Sequence, residues 1–101
     1  MPAHGMKRLL WWLIAGSRGG ANRAHMIRAL KERPYNAHQL AEAMKLDYKT
    51  IRHHLKVLQE NSVIVASGKE QYGAMYFLSP QMEQNYQDFL DILAQVKLDG
   101  V

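Results

Sequence analysis

The stretch DYKTIRHHLKVLQENSVI, residues 47–64, decides how the rest of the chain is read. Asp47 suits an N-cap, because its carboxylate accepts the free backbone N–H groups of a first turn and opposes the positive end of the helix dipole. The spacing predicts a helix from Tyr48 to Asn61. At about 100° per residue, Ile51, Leu55 and Leu58 fall on one side, bordered by Thr50, His54, Val57 and Asn61. Lys49, Arg52, His53 and Lys56 fall opposite, with Tyr48 and Gln59 at the edge. One face can seal a small core while the other presents cations and donors.

A basic helix face has two readings. It is often no more than a solvated face. It is also a strip about two turns long, the dimension of a helix lying in a DNA major groove. The segment just upstream, NAHQLAEAMKL (residues 36–46), favours the second reading. It predicts a short helix from Ala37 to Lys45, capped by Asn36 and apolar at Leu40, Ala41 and Met44. Two short helices joined by so tight a turn pack steeply, so the second projects from the surface, and residues 37–61 read as a helix-turn-helix. His38 and Gln39 fall in the first turn of the upstream helix, where side chains or backbone N–H groups can meet a phosphate.

Downstream, Val63–Ser67 and Ala74–Leu78 are short runs rich in β-branched, small and aromatic residues. Gly68 and Gly73 bracket Lys69 to Tyr72, so residues 63–78 predict a β-hairpin, a wing beside the helix-turn-helix. Lys69, Gln71 and Tyr72 are its candidates for a DNA contact. Glu70 cancels the charge of Lys69, and an ordinary hairpin is the competing reading.

The flanks predict extra helices. Ser79 starts one over residues 80–98, with Pro80 at its first position and Glu83 placed to complete a capping pair. Met82, Tyr86, Phe89, Leu93 and Val96 alternate four and three apart with Leu90 beside them, which makes a seam. Residues 1–5 are expected to be disordered, and residues 6–16 to form a helix apolar on nearly every side through Leu9, Leu10, Trp11, Trp12, Leu13 and Ile14. A core this small covers one side of such a helix. The remainder implies a homodimer interface made by Leu9, Trp11, Trp12 and Leu13 with Met82, Tyr86, Phe89, Leu93 and Val96. Packing of the last helix on its own domain alone is the plainer alternative. Stacking of Trp11 and Trp12 on single-stranded bases is another use, against which their aliphatic neighbours argue. Between the turn Ser17–Gly20 and Pro34, a second helix from Ala21 or Asn22 to Glu32 points Ala24, Met26, Ile27 and Leu30 inward and Arg23, Arg28, Lys31 and Arg33 outward. Tyr35 and Asn36 are expected to form a very short strand.

Composition bounds the function. A chain of 101 residues, 48% hydrophobic, supports one compact domain spanning 1–101. Its net charge of +4 is polarised: residues 1–56 hold 11 Lys or Arg against 3 acids, and residues 57–101 hold 2 against 6. A basic half attracts polyanions and an acidic tail points away from them. With no cysteine there is no disulfide framework, thiolate nucleophile or cysteine zinc site. His53 and His54 diverge around a helix, and His4, His25 and His38 are scattered, so a histidine metal site needs a coincidence of folding; no metal or other cofactor is expected. No phosphate-loop or G-x-S-x-G pattern is present, and no nucleophile has a visible base, which argues against an enzyme. Lys7 and Arg8 before an apolar run resemble a signal segment. The run is far short of the about 20 residues a span needs, and Arg18 sits badly near a cleavage site, so a cytoplasmic protein without membrane association is expected.

The order helix, helix, short strand, helix-turn-helix, hairpin, helix resembles the winged helix-turn-helix regulators of the ArsR type. The resemblance covers roughly residues 20–79 and is carried by Thr50, Ile51, His54, Leu55, Lys56, Val57, Leu58, Glu60, Val63 and Ile64. It implies a fold that is mainly α with a small β-hairpin, and a homodimer that binds double-stranded DNA to regulate transcription. It further implies that Tyr48, Lys49, Arg52 and His53 face bases or phosphates while His54 packs at the border. Two departures stand out. Ser62 occupies a turn where the family often has glycine, and the helix over residues 37–45 lacks the paired cysteines of metal-sensing members. A winged-helix module that binds protein rather than DNA, and a repressor released by a small molecule, are the alternative functions.

Overall fold

A computed structural model describes residues 3–68 and 73–96. Helix α1 (Ala3–Ile14) starts where disorder was expected and ends two residues short of Gly16. Leu10, Leu13 and Ile14 are buried, whereas Trp11 and Trp12 are 42% and 54% exposed on the opposite side. Helix α2 (Gly20–Glu32) follows a turn that Gly19 makes at φ 82°, and it buries Ala24, Met26, Ile27 and Leu30. Strand β1 (Tyr35–Asn36) leads directly into α3 (Ala37–Met44).

Both helices of the helix-turn-helix are capped by side chains. Asn36 accepts the Gln39 N–H at 2.8 Å while Gln39 Oε1 accepts the Asn36 N–H at 2.9 Å, a reciprocal box that satisfies two orphan donors of α3. Lys45, in the left-handed region at φ 57°, stops α3, and Asp47 opens α4 (Tyr48–Glu60). Asp47 accepts both the backbone N–H of Thr50 at 2.8 Å and its hydroxyl at 2.9 Å. These bonds, the backbone one first, hold its carboxyl below the usual aspartate range.

Strands β2 (Ile64–Ser67) and β3 (Met75–Leu78) form an antiparallel pair in the register Ile64–Leu78 and Ser67–Met75. Strand β1 joins on the far side of β3, pairing Tyr35 with Tyr76, so the sheet order is β1–β3–β2. Helix α5 (Pro80–Gln84) is capped by the Ser79 hydroxyl, which accepts the Met82 N–H at 3.0 Å. Met82, three residues after the cap, holds the position a capping glutamate needs. Glu83 lies one residue too late, and its carboxylate bonds Lys31 Nζ of α2 at 2.6 Å instead. The chain turns at Asn85 into α6 (Tyr86–Gln95), so the single helix expected over 80–98 is two helices, with residues beyond 96 outside those described.

The core joins Leu13, Met26, Ile27, Leu40, Ile51, Leu55, Leu58, Tyr76, Met82, Phe89 and Ile92, each almost wholly buried. Packing of α1 against α6 and α2 closes it on one side. Two sequence expectations need correction here. Leu13 of α1, Met82 of α5 and Phe89 of α6 belong to this core and are unavailable to a partner, because each is wholly buried within its own domain. Arg23, placed on the polar side of α2 by periodicity, is 3% exposed.

The turn after α4 is made by Ser62 in a conformation that favours glycine. Ser62 takes φ 61°, its N–H donates to Gln59 O at 3.1 Å, and its carbonyl accepts the Ser79 hydroxyl at 2.8 Å. A left-handed non-glycine residue costs about 1–2 kcal/mol, part of which glycine returns as unfolded-chain entropy. Ser62→Gly is therefore expected to stabilise the protein by about 0.5–1 kcal/mol in urea unfolding. A destabilised variant would show that the serine side chain contributes more than the strain it bears.

Candidate nucleic-acid interface

The exposed side of α4 is set by its buried side. Because Ile51, Leu55 and Leu58 are sealed in the core, Lys49, His53, Lys56 and Gln59 must face solvent, and all four do. Among the described residues no carboxylate pairs with Lys49, His53 or Lys56. The strip is therefore available to an external anion. Together with Arg52, Leu55, Glu60 and Tyr76 these residues line an open groove of about 760 Å³ between α4 and the sheet.

Tyr48 is 42% exposed and stacks on the His38 ring, with centroids 4.3 Å apart and planes inclined by 18°. The stack joins the N-terminal ends of α3 and α4 side by side. His38 is thereby brought beside the N-terminal end of α4. Gln39 is half-buried, with its side-chain oxygen and its own backbone N–H both engaged in the α3 cap. Lys69, Gln71 and Tyr72 lie outside the described residues.

Arg52 sits at the groove floor. It is half-buried, and its Nη1 donates to the Tyr76 hydroxyl at 2.8 Å. Sequence periodicity placed Arg52 on the outer face but gave no sign of this bond. Its only advance signal was a polar-tipped aromatic in an inward strand position.

Beneath the strip lies a second polar arrangement that the sequence hid. Arg23 Nε donates to Leu13 O at 2.9 Å, and its Nη2 donates to Ser17 Oγ at 2.6 Å and Arg18 O at 2.7 Å. Its Nη1 lies 3.4 Å from Nδ1 of His54, itself 5% exposed. A guanidinium has only donors, so Nδ1 accepts and the ring proton sits on Nε2. Burial first, then the charges of Arg23 and His53, hold the His54 imidazole below the usual histidine range. The neutral ring fastens α4 to the turn between α1 and α2.

Residues 21–63 match the family model of the bacterial regulatory proteins of the arsR family. The fold is a winged helix. Solved winged-helix structures agree at low sequence identity. The transcriptional regulator BldR of Sulfolobus solfataricus superposes with a TM-score of 0.69 at 11% identity, over 97% of this chain and 77% of that one. For Rv0081 of M. tuberculosis the values are 0.67 and 18%, over 94% and 92%. For MarR of Staphylococcus aureus they are 0.62 and 18%, over 78% of this chain and only 60% of that one. No curated protein matches the chain in sequence. Among the described residues, no helix is long and apolar enough to cross a membrane, and no group of three or more ionisable side chains is placed to hold a metal ion.

Proposed function

We propose that this winged-helix protein is a sequence-specific double-stranded DNA binder that regulates transcription as a homodimer. The observation that carries the reading is the exposed strip of Lys49, His53 and Lys56 on α4, which no carboxylate pairs among the described residues and which the buried face of the helix holds outward. Lys49 and Lys56 bind phosphates, His53 and Arg52 meet base edges, and the His38–Tyr48 stack rests against the backbone. Trp11, Trp12 and Leu90, each more than a third exposed, form the apolar surface for a second subunit together with the half-buried Leu9, Tyr86, Leu93 and Val96. A two-fold pair places the two α4 helices about 34 Å apart, one turn of the duplex. The acidic residues of α5 and α6, Glu83, Asp88 and Asp91, face away from DNA.

Titration of the protein against pooled random duplexes, followed by anisotropy at two salt concentrations, tests this. Each neutralised phosphate contributes about −0.9 to the slope of log K against log salt, so Lys49 and Lys56 of two subunits alone give about −3.6. Affinity should fall roughly 100-fold between 50 and 200 mM salt. Weak, salt-insensitive binding to every duplex would remove the reading and favour a protein partner for the basic face.

A further inference from the structure

The contact between Arg23 and His54 ties α4 to the turn that carries α1 into α2. On one side of it the guanidinium is fixed, because its bonds to Leu13 O, Ser17 Oγ and Arg18 O hold it against the end of α1. Ser17 is itself bonded to Trp12 O at 3.0 Å. On the other side the imidazole is tightly enclosed: a Cβ added at Gly19 would lie 2.5 Å from its Cε1. With Ile51, Leu55 and Leu58 buried on the same helix, the ring parts from Arg23 most readily by a shift of α4 itself. The charged groups acting on His54 are Arg23 across the contact and His53 on its own helix, and each opposes a proton on the ring. From the turn, Arg18 contributes its carbonyl to Arg23. Among the described residues no carboxylate pairs with Arg23, His53 or His54.

We infer that the Arg23–His54 contact sets where α4 stands relative to the dimer surface, and that a proton on His54 releases α4 and loosens binding to a duplex with two half-sites. This rests on the DNA-binding homodimer proposed above and adds its regulation. Trp11 and Trp12 of α1 belong to the surface assigned to the second subunit, and Arg23 is bonded to the backbone of Leu13 in that same helix. The spacing between the two α4 helices of a pair is therefore transmitted through this contact. A neutral ring accepts from Nη1, whereas a protonated one turns an N–H toward an N–H and sets a second charge beside a guanidinium that cannot swing away. Burial first, then the neighbouring charges, hold the packed ring below the usual histidine range, so a released ring takes the proton more readily. Acid thus favours release, increasingly as pH falls below about 6.5. A displaced helix can still grip one half-site, but two must be spaced correctly at once.

Dissociation constants are measured for wild type and His54→Gln at about pH 7.5 and about pH 5.5, on either side of the ordinary histidine range. Each protein is titrated with the duplex selected from the random pool and with unselected random duplex, near-UV circular dichroism first establishing that it is folded at both pH values. Glutamine keeps an acceptor for Arg23 and does not titrate. Both proteins retain His53, so their ratio isolates His54. Wild type should lose about tenfold more affinity for the selected duplex than His54→Gln does on acidification, with no such difference on random duplex. Equal pH dependence in the two proteins would overturn the inference, as would an equal loss on random duplex. A wild type that prefers no duplex even at the higher pH would defeat the DNA-reading assignment itself, and the inference with it. Should His54→Gln fail to fold, the wild type alone decides. Proton and duplex binding are reciprocal, so a tenfold effect requires the His54 midpoint, followed by NMR of its ring, to fall by about one pH unit when the selected duplex is bound. The charge of the phosphates alone would raise that midpoint, so an unmoved or raised value would overturn the inference.

Discussion

Gly20→Ala is expected to unfold most of the protein under conditions where wild type is folded. A Cβ at this position lies 1.8 Å from the carbonyl oxygen of Ile14 and 2.7 Å from its carbon. Those atoms are backbone at the end of α1, and Ile14 itself is buried in the core. No side-chain rotation relieves the contact, so α2 would have to separate from α1. Overpacking in a well-filled core costs about 1–3 kcal/mol even where side chains give way, and a backbone collision exceeds that range. With total stability of about 5–15 kcal/mol for a domain, a loss above about 3 kcal/mol is a large share. Urea unfolding measures it. A midpoint for Gly20→Ala close to that of wild type would refute the packing described for the first two helices.

Arg23→Met should be nearly as damaging. The substitution leaves the Leu13 and Arg18 carbonyls without the donor that reaches them across the turn, and it removes the group that anchors His54. Losing the partner of a buried polar acceptor costs about 1–3 kcal/mol each, which puts the total near 3 kcal/mol or above. Burial lowers the Arg23 pKa, but from a value so high that the side chain stays charged. The same cluster gives the protein an acid-labile joint. A histidine whose folded pKa is depressed binds its proton more readily in the unfolded chain, so its contribution to stability is complete above about pH 6.5 and is lost as pH falls below that value. Protonation would set a second cation beside Arg23, with His53 on the same helix and the Arg18 backbone facing them, and no carboxylate pairs with Arg23 or His54 among the described residues. Wild type should therefore lose stability between pH 7 and pH 5. His54→Gln, which keeps an acceptor and does not titrate, should be flatter across that window. The lowered carboxyl of Asp47 acts in the same direction but only below about pH 4, which keeps the two effects apart. Equal pH dependence in both proteins would remove His54 from the account.

The parts of the fold legible in the sequence were those written in local periodicity and punctuation. Asp47, Asn36 and Ser79 announce helix starts because a short acceptor side chain can serve a first turn whatever surrounds it. Gly68 and Gly73 bound a hairpin for an equally local reason. Long-range bonding was hidden. Arg23 looks like a surface cation in any helical projection, and only the approach of Leu13, Ser17 and Arg18 from the preceding turn makes its burial tolerable. The division of the last helix was hidden too, since Asn85 carries no breaker signal strong enough to outweigh the regular spacing from Met82 to Val96. On the outer face of α4, the exposure of Lys49, His53 and Lys56 follows from periodicity alone. Arg52 requires knowing which strand residue lies behind it.

The pairing of Tyr35 with Tyr76 joins positions 41 apart in the chain, and the strand that makes it is only two residues long. Such a short strand gains little until the intervening segment has already folded, because loop closure must be met by very few bonds. The hairpin can associate early, while its third strand must wait for the two helices lying between. Assembly of this sheet therefore finishes with the N-terminal edge, and the rate of that last step is governed by chain topology more than by the strength of any one bond.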